Sequence, residues 1–244
     1  MLEARNGKAK SIQFSSLVRC MMFVAWRELL FARGRFALIA SVVAMIMVLV
    51  GFLSGLTGGL ASQNVSSVLG LNADRVVFAQ PGAGKKISFA GSAVTHKQYE
   101  TWAKQSGVDS VRALGVQQLK VTSPDANTTV ALMGSSPGDG APVPTSKNAV
   151  TLSQTAAEDL GVRAGDEVTI MGRSLKVDAI SKDSWFSDTP TAWMELDQWH
   201  EVTKSNQWAN ALVVKGSGDW SAADSQADTQ SASALGSLMA IGSF

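Results

Sequence analysis

The spacing of apolar residues changes three times along this chain. From Phe36 to Ala61 (FALIASVVAMIMVLVGFLSGLTGGLA) they run on for 26 residues without a charge. At ~1.5 Å per residue, a helix of that length reaches roughly 39 Å against a hydrocarbon core of ~30 Å, so residues 36–61 are expected to cross a bilayer with some tilt. Before it, LVRCMMFVAWRELLF mixes Arg19, Arg27 and Glu28 with Met22, Phe23, Trp26 and Leu29. That mixture predicts an amphipathic helix over 17–35, lying at the membrane surface with Trp26, Arg27, Arg33 and Arg35 as its interfacial anchors. The polar residues 1–16 are read as a disordered extension.

After the apolar run the pattern shortens. Residues 62–73 predict a polar-faced helical stalk. Beyond it, strands are expected at 74–79, 108–122, 128–133, 149–152, 168–171, 175–180 and 211–215. Helices are expected at 95–106, where Thr95 can cap, at 153–160, with Thr155 and Glu158 at capping-box spacing and Gly161 as the stop, and at 197–203. Tryptophans 185, 193, 199 and 208 crowd the last part of this region. Residues 216–244 are rich in Ser, Ala and Asp and read as a linker. The expected architecture is thus one membrane helix followed by a mixed α+β domain over 74–215.

Charge orients this arrangement. Seven of the 21 basic residues but only two of the 20 acidic ones precede the apolar run, and Arg33 and Arg35 stand at its entry. Positive charge favours the cytoplasmic side, which places the N-terminus inside and the large domain outside. A cleaved signal peptide fits less well, because signal h-regions run to only ~7–15 residues. The domain after the span carries more acidic than basic residues, which argues against nucleic acid as a partner. The single cysteine, Cys20, permits no internal disulfide, so the outer domain rests on packing alone.

Within the span, Gly51, Gly55 and Gly59 recur every four residues, and Ser54 and Gly58 repeat that spacing one row over. Such stripes let another helix or a flat ligand come close to the backbone. Met45 and Met47 could touch an apolar substrate there, or simply face lipid. Gly82-Ala83-Gly84-Lys85-Lys86 lacks both the GxxxxGK[ST] spacing and the following helix of a phosphate loop, so no ATPase is expected in this chain. Cys20 lies on the other side of the membrane from His96 and His200, and no GxSxG elbow occurs, so no catalytic residue is assigned and the chain is not read as an enzyme. His96 and Tyr99 stand three apart on one helix. Both residue types serve as axial haem ligands, but an ordinary surface histidine beside a packed tyrosine is the preferred reading of the pair. No permanently bound cofactor and no metal site is expected.

The passage TLSQTAAEDLGVRAGDEVTI…SLKVDAI, a helix, a Gly-Val-x-x-Gly-Asp turn and a hairpin, resembles the extracytoplasmic core domain of MacB/FtsX-type ABC transporter permeases. WRELLFARGRFAL resembles the start of their HrtB/DevC-like branch. The resemblance implies an outer domain inserted between the first and second membrane helices, a paired second permease copy, and a separate cytoplasmic ATPase that drives export. For the HrtB-like branch it implies haem as the transported substrate. Family members have four membrane helices where this chain shows one, and its end (ALGSLMAIGSF) looks like an approach to the second, so a truncated chain is expected. A membrane-anchored binding or scaffold module, and a force-transmitting FtsX/LolC-like permease without haem transport, share the same outline.

Overall fold

A computed structural model of the protein describes residues 33–63, 66–138 and 140–233. The expected extension over 1–16, the interfacial residues Trp26 and Arg27, and residues 234–244 lie outside the described residues. The chain divides into two compact units, Met1–Thr57 and Gly58–Phe244.

The first unit is dominated by helix α1 (Arg33–Gln63), which continues into the second unit and encloses the expected apolar run. Its segment Gly34–Leu56 is long and apolar enough to cross a membrane. The helix is apolar on all sides, with Met45, Met47 and Val48 each about 70% exposed (70%, 69% and 71%). A helix without a polar face suits a medium of lipid rather than water. The hydroxyl of Ser41 donates to the Leu38 carbonyl at 2.8 Å, so the polar atom is satisfied within the helix itself.

The second unit is a mixed α+β domain. It comprises α2 (Ser66–Leu69), β1 (Arg75–Ala79), α3 (His96–Ala103), β2 (Val108–Thr122), β3 (Asn127–Ser135), β4 (Ala149–Ser153), α4 (Gln154–Leu160), β5 (Glu167–Ile170) and β6 (Arg173–Ser181), then β7 (Trp185–Phe186), β8 (Thr189–Glu195), α5 (Leu196–Thr203), β9 (Ala211–Gly216), α6 (Ser221–Gln226) and β10 (Thr229–Ser233). The strands form one sheet in the order β10-β1-β9-β2-β3-β8-β4-β6-β5. Because β5 pairs back onto the end of β2 (Val121 with Ile170), the strands from β2 through β5 close on themselves. The long β2 is the hinge of the design: Val108–Leu114 pairs with β9, and Leu114–Thr122 pairs with β3. The β3/β8 and β4/β6 pairs are parallel.

Period-two alternation explains why the sheet is buried on both faces. Val77, Ala113, Leu132, Ala192, Leu212 and Val214 point into one core, with Trp102, Trp199 and Trp220. Their neighbours Val76, Phe78, Leu114, Met133, Ala211 and Val213 point into another, with Val68, Leu71 and Trp193. The tryptophans that crowd the sequence are therefore dispersed, Trp193 and Trp199 lying in different cores.

Several expectations need correction. Residues 216–233 are not a linker: the buried Trp220 stands at the N-cap of α6, and β10 adds an edge strand to β1 over Arg75–Ala79, with the Trp102 indole donating to Thr229 Oγ1 at 2.9 Å. Small polar residues such as Ser and Thr hide a short edge strand from composition. Residues 66–71 are likewise no free stalk, since Val68 and Leu71 are 1% exposed and Arg112 donates to the Leu71 carbonyl at 2.8 Å. The capping residue of α4 is Ser153 rather than Thr155, whose N–H and hydroxyl instead bind Asp183, while Glu158 accepts from Gln154. The β5/β6 hairpin turns at Met171-Gly172, both with positive φ (49° and 79°), one residue earlier than expected. The capping box at Thr95 does form, with Gln98 as its reciprocal partner.

Candidate functional site

Two concavities in the sheet domain collect the chemistry. The larger is a cleft of about 790 Å³, within the ~300–1,000 Å³ of ordinary ligand sites. Trp199, one of its lining residues, is seated on two glycines. Gly115 on β2 and Gly134 on β3 are paired across the strands, and Trp199 of α5 lies over both. The indole is 1% exposed, and its N–H donates to the Leu132 carbonyl at 3.2 Å.

One side of the cleft is an aromatic ladder, in which Phe89 meets Phe78 edge-on at 4.9 Å and Phe186 at 5.2 Å. Phe186 is held there by the β7/β8 hairpin, whose Ser187 and Asp188 take positive φ (50° and 59°). The other side is a network around Asn210, which is 4% exposed. Its Oδ1 accepts from the Val116 N–H at 2.7 Å, and its amide donates to the Phe89 carbonyl at 3.0 Å and to Gln207 Oε1 at 3.1 Å. This single side chain fills the gap on the edge of β2 between the stretches paired to β9 and β5. Gln117, Gln118 and Lys204 complete the rim, and Lys204 makes no ion pair among the described residues. Among the described residues no His, Cys, Asp or Glu lines the cleft; what they offer a ligand is apolar contact and hydrogen bonds.

The smaller cavity, about 260 Å³, is lined by His96, Tyr99 and Trp208 together with Glu195 and Asp197. His96 and Tyr99 do share a face of α3, with ring centroids 5.8 Å apart, and both pack on Trp208 at 5.1 and 5.3 Å. His96 Nδ1 lies 3.4 Å from Glu100 Oε1. Trp208 is anchored through its carbonyl, which His200 Nε2 contacts. No group of three or more His, Cys, Asp or Glu side chains that could hold a metal occurs among the described residues.

The remaining sequence-predicted residues sit on α1. A Cβ added at Gly51 or Gly55 would meet nothing within 4 Å among the described residues, so neither glycine packs against any of them. Ser54, Met45 and Met47 are exposed, as is Arg35. Gly58 and Gly59 continue the helix, as Arg33 begins it. Sequence reasoning missed the large cleft entirely. Its walls come from distant segments, and its one legible signal was the pair of glycines inside otherwise regular strands, which marks a close approach by something bulky.

No family model matches the chain. A curated relative, the hemin transport system permease protein HrtB of Staphylococcus haemolyticus, is 24% identical over 191 residues, which is 75% of this chain and 52% of the relative. The chain thus spans about half the length of that relative. Among solved structures, the periplasmic region of MacB from Actinobacillus actinomycetemcomitans superposes with a TM-score of 0.52 at 14% identity, covering 72% of this chain and 96% of that one. The extracellular domain of the ABC-type transporter YknZ from Gram-positive bacteria aligns with a TM-score of 0.47 at 15% identity, covering 62% and 87%. The resemblance carried by residues 149–182 is upheld: an N-terminal apolar helix is followed by a mixed α+β domain with the fold of the MacB periplasmic region.

Proposed function

We propose that this chain is the membrane-embedded permease subunit of an ABC-type exporter. Helix α1 is its first span, the arginine-rich N-terminus lies in the cytoplasm, and the sheet domain stands outside the plasma membrane. The observation that carries this reading is a conjunction: a helix apolar all round, followed in the same chain by a domain with the MacB periplasmic fold. Gly51, Gly55 and Gly59, with Ser54 and Gly58, form the face on which a second permease copy packs or past which a flat apolar substrate slides. ATP hydrolysis belongs to a separate cytoplasmic subunit.

For the substrate, the reading is haem. Its support is the name of the HrtB relative and the character of the large cleft, where Phe89 and Phe186 present aromatic edges to a flat macrocycle and Lys204 offers a cation to a carboxylate. Deleting the gene that encodes this chain is expected to sensitise cells to haem, with tolerance restored by the intact gene. Unchanged tolerance, in cells whose membranes contain the protein beforehand, would contradict haem as the substrate.

A further inference from the structure

We propose that the smaller cavity of the outer domain is a binding site for a small organic ammonium cation, independent of what the protein transports. The cavity joins two features that favour positive charge. Three rings, His96, Tyr99 and Trp208, form its aromatic side; His96 and Trp208 stand nearly perpendicular, at 87°, so the walls meet at a corner. The electron-rich faces of Trp and Tyr attract a cation within about 6 Å. The same cavity is lined by Glu195 and Asp197, at the end of β8 and the start of α5.

Asp197 stands in the first turn of α5, where its charge suits the helix N-terminus, but neither it nor Glu195 is tied to a side-chain partner among the described residues. Glu195 occupies the N-cap position of α5, yet its side chain makes no capping hydrogen bond. Neither group forms an ion pair among the described residues, whereas Glu100 pairs with His96 and Lys104, and Glu201 pairs with Arg173. Among the described residues no lysine or arginine lines the cavity, so its two carboxylates have no fixed countercharge there.

Size narrows the ligand. At about 260 Å³ the cavity holds the volume of roughly nine waters at ~30 Å³ each, which suits a trimethylammonium or primary ammonium head and excludes a macrocycle. The rings also contact one another, at 5.1 to 5.8 Å between centroids, so the guest sits in their corner and is not inserted between them. Apolar contact with methyl groups and charge contact with the carboxylates together select an alkylated ammonium over a bare metal ion, for which no cluster of ligands exists among the described residues.

The test uses the full chain in maltoside micelles and choline chloride as the probe, read by saturation transfer to the choline methyl protons. Choline should bind, and its uncharged carbon isostere dimethylbutanol should bind about tenfold more weakly. Trp208→Leu should weaken choline about fivefold, and the double change Glu195→Gln with Asp197→Asn about tenfold, with circular dichroism and thermal unfolding unaltered in the latter. Repeating the titration in nanodiscs of phosphatidylcholine and of phosphatidylglycerol separates the two sources of such a head: a lipid-derived ligand competes in the first only, a free one in neither. No saturation transfer from choline at about 0.1 M, equal binding of the isostere, or full binding by the doubly neutralised variant would each overturn the proposal.

Discussion

Adding one methyl group at Gly134 should destabilise the sheet domain severely, and removing the tryptophan above it should relieve the damage. A Cβ at this position would stand 2.4 Å from Trp199 Cγ and 2.5 Å from its Cβ. Those atoms are close to the α5 backbone and cannot swing aside, so the helix or the sheet must move. Overpacking of a buried site costs about 1–3 kcal/mol, and this case belongs at about 3. Gly115→Ala meets ring atoms at 2.9 Å, which a tilt of the indole can absorb, so about 1–2 kcal/mol is expected. Trp199→Gly alone loses a buried indole and places a glycine inside α5, at about 4–6 kcal/mol together. In that background both the Cγ and the Cβ that Gly134→Ala would meet are gone, so the added methyl should cost under about 1 kcal/mol, which makes the pair non-additive by about 2 kcal/mol. Denaturant unfolding of the full chain in detergent, followed by far-ultraviolet circular dichroism, measures all four proteins. Additive losses, or a neutral Gly134→Ala, would refute the claim that these glycines exist to seat the indole.

Asn210→Ala should cost about 2–3 kcal/mol in the same assay, because the Val116 N–H and the Phe89 carbonyl lose a buried partner; a loss below about 0.5 kcal/mol would show that water replaces the amide. Thr229→Val, which keeps the shape but removes the acceptor for the Trp102 indole, should cost about 1–2 kcal/mol and raise amide exchange across β10 and β1. Exchange confined to neither strand would contradict the placement of β10 in the sheet.

What was legible beforehand follows from how local each signal is. The Thr95/Gln98 capping box, the Gly161 stop with φ 66° and the alternation in β2, β3 and β9 are written within a few residues of the element they define. The apolar run of α1 needs no partner to be recognised. By contrast, β10 is visible only through its partner β1, since Thr229-Gln230-Ser231-Ala232-Ser233 has no strand composition of its own. The β7/β8 hairpin was missed because Ser187-Asp188 adopts the left-handed conformations usually signalled by Asn-Gly. The large cleft was illegible for the same reason at a larger scale: Phe89, Val116, Phe186, Trp199 and Asn210 meet only after the sheet has formed. Of the small cavity, the His96/Tyr99 pair was seen, while Trp208, Glu195 and Asp197 come from distant turns of the chain.

The topology is the claim on which the functional reading stands, and cysteine labelling in intact cells tests it most directly. Cys20 is the single native thiol, and Lys147→Cys adds a second at an exposed position of the sheet domain. With a membrane-impermeant maleimide, the thiol at position 147 should react in intact cells, and Cys20 only after lysis. Labelling of Cys20 in intact cells, with position 147 silent until they are broken, would invert the protein and contradict an outer domain.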